Sequence, residues 1–151
     1  MTDRRRGVTF TAVVATADEL RSIPLFDGLS EADLETLAPS FEARTVGGGV
    51  RLIGEGASGY EFFVLAEGTA AVTHEGAELT TLGPGDFFGE IGILGGARRS
   101  ATVATTSPAK ILVLFGTEFR RLAQTHPDIA AQIEETMRRR VGDPVASKPQ
   151  Q

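Results

Sequence analysis

Short apolar runs separated by glycine-rich turns occupy residues 43–115, and this pattern most limits the fold that the chain can adopt. Runs such as residues 50–53, 62–66 and 111–115 each have the length of one short strand. Between them, Glu75-Gly76 is typical of a two-residue hairpin loop, and residues 83–86, Gly-Pro-Gly-Asp, predict a tight turn. Regularly spaced short strands favour an antiparallel barrel or jelly roll, because closure protects strand edges. The chain is therefore predicted to be mainly β, of the double-stranded β-helix or jelly-roll type.

Helical patterns precede this β region. We expect a short helix over residues 18–22 and a longer one over residues 30–41, with Ser30 as the N-cap of the longer helix. Its apolar stripe consists of Leu34, Leu37, Ala38 and Phe41. The β region is therefore expected to carry helices on its N-terminal side.

Two further helices are predicted after the β region. Thr117 is expected to cap the first, and Pro127 fits the first turn of the second. The second helix has apolar residues at four-residue steps, namely Ile129, Ile133, Met137 and Val141. Such a stripe needs a partner, which is either the β structure beneath a lid helix, a second subunit, or both.

Length and composition limit the organisation of the chain. With 151 residues it is large enough for one domain with a real core. A net charge of -5 argues against a nucleic-acid surface, and the lack of cysteine excludes disulfides and thiolate chemistry. No apolar run reaches the roughly 18 residues of a membrane span. We expect a soluble, cytoplasmic domain over residues 16–141, with a flexible arm at residues 1–15 and a disordered tail at residues 142–151.

The arm prediction has one competing signal. Val8, Phe10, Ala12 and Val14 recur at every second position, as apolar residues do in a strand. The sequence alone therefore leaves two alternatives for these residues, a flexible arm and a strand.

The chemistry of the chain is concentrated in residues 88–103, which combine four glycines with one glutamate and an arginine pair. Gly89 and Gly92 allow backbone amides to approach an anion closely. Arg99 supplies a guanidinium whose fork suits two phosphate oxygens, and Ser100 adds a hydroxyl. Glu90 can accept a hydrogen bond from a neighbouring hydroxyl group. This combination suits a nucleotide phosphate and its ribose.

The segment resembles the phosphate-binding cassette of the cyclic nucleotide-binding domain family. The family pattern is Gly-Glu-apolar-Ala/Gly-apolar, then a short variable loop and Arg-Ser/Thr/Ala-Ala. Here it reads Gly89-Glu90-Ile91-Gly92-Ile93 and Arg99-Ser100-Ala101. The resemblance extends over residues 25–141. It implies an eight-stranded β-roll with N-terminal helices and a C-terminal hinge and lid helix.

The resemblance also implies the roles of individual residues. Glu90 and the Gly89 amide would hold the ribose, while Arg99 and the amides of Gly92 and Ser100 would hold the phosphate. Arg98 is one place out of register and is expected to face solvent. The expected ligand-binding set is Gly89, Glu90, Ile91, Gly92, Arg99, Ser100 and Ala101. Apolar wall near the base would come from among Leu52, Ile53, Val64 and Leu65.

The functional prediction is a non-catalytic cyclic nucleotide sensor, with cAMP favoured over cGMP and no other cofactor. Ligand would close the C-terminal helices over the pocket. The alternative is a β-roll interaction domain that binds no nucleotide, in which Glu90 and Arg99 form only a structural ion pair. An enzyme is not expected, because His74 and His126 have no partner at metal or catalytic spacing.

Partners follow from the same resemblance. Only ten residues follow Val141, so we expect no DNA-binding domain in this chain. The chain is then a free-standing module or a fragment of a longer protein, without a membrane partner. Besides the nucleotide, its partner would be a second copy or an effector protein that the sequence does not identify.

Overall fold

A computed structural model of the protein describes residues 11–54, 61–89 and 101–141. In these ranges the strands are β1 (Thr11–Val14), β2 (Glu42–Val46), β3 (Arg51–Ile53), β4 (Glu61–Glu67), β5 (Ala70–His74), β6 (Ala77–Leu82), β7 (Phe87–Phe88), β8 (Thr102–Thr105) and β9 (Ala109–Phe115). The helices are α1 (Ala17–Arg21), α2 (Glu31–Leu37), α3 (Gly116–Thr125) and α4 (Pro127–Val141). Two 3-10 turns, Pro24–Phe26 and Ala38–Ser40, complete the N-terminal helical segment.

The strands form two antiparallel sheets. The order is β1-β2-β9-β4-β7 in one sheet and β3-β8-β5-β6 in the other. Apolar side chains from both sheets meet in one cluster, which we call the roll interior. It contains Val46, Ile53, Phe63, Leu65, Ala70, Val72, Leu82, Phe88, Ala101, Val103, Ala109, Ile111 and Val113. The predicted mainly β roll with flanking helices is confirmed.

A second cluster, the helical layer, lies between the helices and the outer face of the larger sheet. The helices contribute residues such as Leu20, Leu34, Leu37, Phe119, Ile129, Ile133 and Met137. Strands β4 and β9 are buried on both faces, because their alternate residues enter different clusters. Phe62 and Val64 belong to the helical layer, whereas Phe63 and Leu65 belong to the roll interior. Of the four candidates for the pocket wall, Ile53 and Leu65 lie in the roll interior and Leu52 packs against it, whereas Val64 faces the helices.

The N-terminal helices follow their capping signals, with one correction. A capping box joins Thr16 and Glu19 at the start of α1. Ser30 caps α2 as predicted, its hydroxyl accepting a hydrogen bond from the Asp33 N–H at 3.1 Å. The α-helix ends at Leu37 rather than at residue 41. Pro39 has no N–H for an i→i−4 bond, and the chain continues as a 3-10 turn.

The segment before α1 corrects the prediction of an arm over residues 1–15. Thr11–Val14 is strand β1, which pairs antiparallel with β2 from Thr11 opposite Thr45 to Val14 opposite Glu42. The apolar alternation in this part of the sequence was the better guide. Residues 1–10 and the predicted tail, residues 142–151, lie outside the described residues.

The C-terminal helices pack on the chain itself. Helix α3 follows β9 directly, with Phe115 as its N-cap residue, so Thr117 is wrong as the predicted cap. Pro127 begins α4 as predicted. Ile129, Ile133 and Met137 are at most 3% exposed and lie in the helical layer. The apolar stripe of α4 therefore finds its partner in the N-terminal helical segment and the outer face of the sheet.

Candidate functional site

The structure describes the two ends of the predicted cassette. Gly89 follows β7, and Ala101 precedes β8. The predicted site residues Glu90, Ile91, Gly92, Arg99 and Ser100, together with Arg98, lie outside the described residues. The part of the site that the structure describes consists of the strands that lead into the cassette and out of it.

A hydrogen-bonded turn fixes the approach to β7. The Gly83 N–H donates to Asp86 Oδ2 at 2.8 Å, and the Asp86 N–H donates to the Gly83 carbonyl oxygen at 3.1 Å. The turn is also tied to β4, since the Leu65 N–H donates to the Asp86 carbonyl oxygen at 2.8 Å and the Leu65 carbonyl oxygen accepts from the Gly85 N–H at 2.7 Å. The predicted turn over residues 83–86 is confirmed, and it sets where β7 begins.

Strand β7 has only two residues, and both are aromatic anchors. Phe88 lies opposite Phe63 of β4, and their rings stack with centroids 5.0 Å apart. Phe87 lies in the helical layer, with its ring centroid 5.5 Å from that of Phe62. The end of β7 is thus held on both faces of the sheet, one residue before the cassette.

Gly89 adopts a backbone conformation that suits glycine. Its φ is +80°, in the left-handed region where a Cβ would be strained. The residue is partly buried. The positive φ explains why a glycine stands at this position, whereas its contact with an anion or a ribose stays a prediction.

The other end of the cassette lies in the roll interior. Ala101 is 6% exposed and belongs to the same cluster as Phe88. Strand β8 follows, between β3 and β5 of the second sheet, with Val103 opposite Val72. Residues 90–100 therefore join an edge strand of one sheet to an inner strand of the other, and both ends contact one apolar cluster.

Sequence reasoning missed Thr105, the one polar side chain that is fully buried among the described residues. Its hydroxyl donates to the Gly47 carbonyl oxygen at 2.7 Å and accepts from the Val50 N–H at 2.9 Å. Its backbone pairs with Gly49 and Val50 at 2.7 and 2.9 Å. Thr105 fixes the 47–49 loop to β8, so its role is structural. Its signal in the sequence is a hydroxyl in an apolar strand.

One ion pair joins the helical segment to the roll. The Lys110 ammonium on β9 contacts the Glu19 carboxylate of α1. Burial raises the pKa of Glu19, but hydrogen bonds from Lys110 and from the Thr16 backbone outweigh it, so the pKa of this carboxyl is lowered. The Thr16 N–H donates to Glu19 Oε1 at 2.8 Å. The Glu19 carboxylate therefore stabilises the start of α1 and its contact with β9.

The described residues offer little for metal or acid–base chemistry. His74 is 44% exposed and lies 3.7 Å from Glu75, and His126 is exposed. Over the same part of the chain, no three His, Cys, Asp or Glu side chains come together as a metal site would require. Within the described ranges, every helix is too short or too polar to cross a membrane.

A two-sheet roll with helices on one face, in which residues 90–100 connect β7 to β8, defines a β-roll domain. The sequence profile of the cyclic nucleotide-binding domain matches residues 43–126, so the chain belongs to that family.

Proteins similar to this chain include regulated channels and kinases. The cyclic nucleotide-gated potassium channel of Rhizobium etli is 32% identical over 123 residues, which are 82% of this chain and 34% of the channel. The cAMP-dependent protein kinase regulatory subunit of Mycosarcoma maydis is 39% identical over 112 residues, covering 68% of this chain and 21% of that protein. The chain thus spans about a third or less of these curated relatives.

Solved structures agree on the fold. The crystal structure of a cyclic nucleotide-binding domain from Methylobacillus flagellatus has a TM-score of 0.75 to this chain at 17% identity. The likeness covers 86% of this chain and 80% of that one. At this identity the comparison concerns the arrangement of helices and strands alone.

Proposed function

We propose that this domain binds cAMP in the cassette between β7 and β8 and acts as a non-catalytic regulatory module. The observation that carries the proposal is the family match over residues 43–126, within which Glu90 and Arg99 are both present. The ends of the cassette, Gly89 and Ala101, have the backbone freedom and the burial that such a site needs. Two similar proteins, 39% and 36% identical, are by name regulatory subunits of cAMP-dependent protein kinases, and a cGMP-dependent protein kinase is 35% identical. The first two favour cAMP over cGMP.

The proposed contacts follow the chemistry of the ligand. Arg99 and the amides of Gly92 and Ser100 bind the cyclic phosphate, whose single negative charge matches one guanidinium. Glu90 and the Gly89 amide bind the ribose, with Ile91 and Ala101 beside them. Val64 has no part in this pocket, since its side chain lies in the helical layer.

The proposed output is a shift in the packing of α3 and α4. Helix α3 starts at Gly116, immediately after the last residue of β9, so a movement of this strand acts directly on the helix. The stripe of α4 is buried in the helical layer that β4 and β9 also line. Ligand that binds one arrangement of these elements more tightly increases its population.

The effector is a second protein or a further segment joined to this domain. The channel and the kinase subunit contain the matched region within much longer chains. We place the protein in the cytoplasm as part of the same proposal.

Calorimetric titration tests the proposal. The protein is first unfolded and refolded to remove co-purified nucleotide, then titrated with cAMP, cGMP and 5′-AMP. Saturable binding of cAMP in preference to 5′-AMP is expected, since 5′-AMP carries more charge and lacks the ring. Absence of binding by both cyclic nucleotides contradicts the proposal and leaves an interaction domain.

Hydrogen exchange tests the output separately. Amides of α3 and α4 are compared with and without saturating cAMP, and β5 with β6 provide the internal control. Altered protection of the helices alone is expected. Unchanged protection with normal binding contradicts the helix shift but leaves the binding proposal intact.

A further inference from the structure

Among the strands of the described residues, β1 is an edge of the larger sheet. It stands at the end of the order β1-β2-β9-β4-β7. Val13 and Val14 are 56% and 62% exposed, more than any other large apolar side chain of the described ranges. Adjacent strand residues point to opposite faces, so both faces of the edge are apolar. The strand has no charged residue, although charges commonly protect such edges from pairing.

A groove of about 370 Å³ adjoins the Val14 end of this strand. Its apolar lining includes Val13, Val14 and Phe115, and its acidic lining residues are Glu42 and Glu118. The Glu118 carboxylate has a 3.5 Å contact with Arg121, whose side chain is 73% exposed. Glu42 is held by Arg44 at 2.8 Å, whereas the longer contact of Glu118 leaves its carboxylate more open to a second cation. The groove therefore suits an extended segment that is mainly apolar and has a basic end.

The ten residues before β1 have this composition. Arg4, Arg5 and Arg6 are followed by Gly7, and Val8 and Phe10 continue the apolar alternation into β1. In their own chain these residues leave β1 at Thr11, while the groove lies at Val14. In a second copy whose β1 runs antiparallel, the Thr11 end lies beside Val14 of the first copy. The same ten residues then lead towards the groove.

We propose that two copies associate by antiparallel pairing of their β1 strands, with residues 1–10 of each copy in the groove of the other. The pairing is isologous, so one two-fold axis fills both grooves. One strand pair and two short segments bury an area at the small end of specific interfaces, and the dimer is therefore weak and concentration-dependent. Salt screens the attraction between Arg4, Arg5 and Arg6 and the acidic side chains of the groove, so the dimer is weaker at high salt.

Sedimentation velocity over a concentration series, up to about 1 mM, tests this association. The wild-type protein shifts from monomer to dimer. Val13→Lys and Val14→Lys each weaken the dimer by at least about tenfold, because a charge replaces an apolar contact. Leu79→Lys is the matched control, since Leu79 is 38% exposed on β6 of the other sheet, and it leaves the dimer unchanged.

Cross-linking tests the geometry. Because the chain has no cysteine, Thr11→Cys, Ala12→Cys and Val13→Cys each introduce a single thiol. Disulfides form only where Cα atoms come within about 4.4–6.8 Å, so mild oxidation links the variants nearest the two-fold axis but not Leu79→Cys.

Three results overturn the proposal. The first is a wild-type protein that stays monomeric at the highest concentration. The second is a dimer that tolerates both valine substitutions. The third is a dimer that Leu79→Lys weakens as much as Val13→Lys. Circular dichroism melts confirm that each variant is folded.

Discussion

The ring of Phe88 lies parallel to that of Phe63, with 5.0 Å between the centroids and 7° between the planes. The two residues are also directly opposite in the register of β4 and β7. Since β7 has only two residues, this stack supplies much of what holds the chain in place immediately before Gly89. The stack thus links the roll interior to the proposed binding site.

Replacing the Phe88 ring tests whether an effect on cAMP affinity can be distinguished from an effect on the free energy of unfolding. Phe88→Leu is expected to cost about 1–2 kcal/mol of unfolding free energy through lost aromatic contact and packing. It also weakens cAMP binding, because Gly89 loses its anchor. Phe26→Leu is the control, as Phe26 packs edge-on against Phe41 in the helical layer at 5.5 Å. Urea unfolding and calorimetry should show similar destabilisation, with reduced affinity only for Phe88→Leu.

Gly89→Ala tests the backbone at the cassette. The φ of +80° makes a Cβ unfavourable by about 1–2 kcal/mol. Gly76→Ala is matched, because Gly76 has a φ of +82° in the β5–β6 hairpin and open space around it. Both variants should lose comparable stability, and only Gly89→Ala should lose cAMP affinity. Equal cAMP affinities of Gly89→Ala and Gly76→Ala would contradict the assignment of Gly89 to the binding site.

Arg99→Ala tests the proposed phosphate contact. Removing one member of a buried charge pair costs about 2–5 kcal/mol of binding free energy. Arg98→Ala is its neighbouring control and should change binding by less than about 0.5 kcal/mol, as is usual for a surface position. Calorimetric titration with cAMP compares the two. If both variants bind like the wild type, the assignment by resemblance is wrong.

Thr105→Val should destabilise the roll without any ligand. The substitution removes the hydroxyl that bonds to the Gly47 carbonyl oxygen and the Val50 N–H, at a cost of about 1–3 kcal/mol. Thr106→Val is the control, because its hydroxyl bonds at 2.7 Å to Thr69 at an exposed position. Thermal and urea unfolding measure the difference. Comparable losses would argue against a special role for the buried hydroxyl.

Acid should loosen α1 through Glu19. The pKa of this carboxyl is lower in the folded protein than its ordinary value of 4.5. Its contribution to stability is therefore present above that value and is lost as the pH falls through the lower, folded pKa. Unfolding free energy measured against pH should fall less steeply in Glu19→Gln.

Local signals in the sequence predicted those elements whose ends depend on a few residues. The Glu75-Gly76 hairpin has the two positive φ values, +51° and +82°, that its turn type requires. Ser30 and Pro127 mark true helix starts, because their chemistry acts within one turn. The end of α2 was missed although Pro39 stood in the sequence. There the apolar stripe up to Phe41 was given more weight than the missing N–H.

Other features depended on tertiary structure and could not be predicted. Val64 lies in a run that is apolar at every position, so periodicity cannot assign its face. Thr117 is a good capping residue, but the direct passage from β9 into α3 places the N-cap two residues earlier, at Phe115. For the cassette, the sequence predicted which residues would bind the ligand. The structure shows the positions of the two residues that flank it, Gly89 and Ala101.

Strands β4 and β9 form a partition that is one backbone thick. On one side stands Phe63 of the roll interior, and on the other stand its chain neighbours Phe62 and Val64 of the helical layer. Residues that are adjacent in one strand move together with its backbone. A displacement of Phe63 in the roll interior therefore also displaces Phe62 and Val64 in the helical layer. The partition also forbids slippage, because a shift of one residue would exchange the contents of the two compartments.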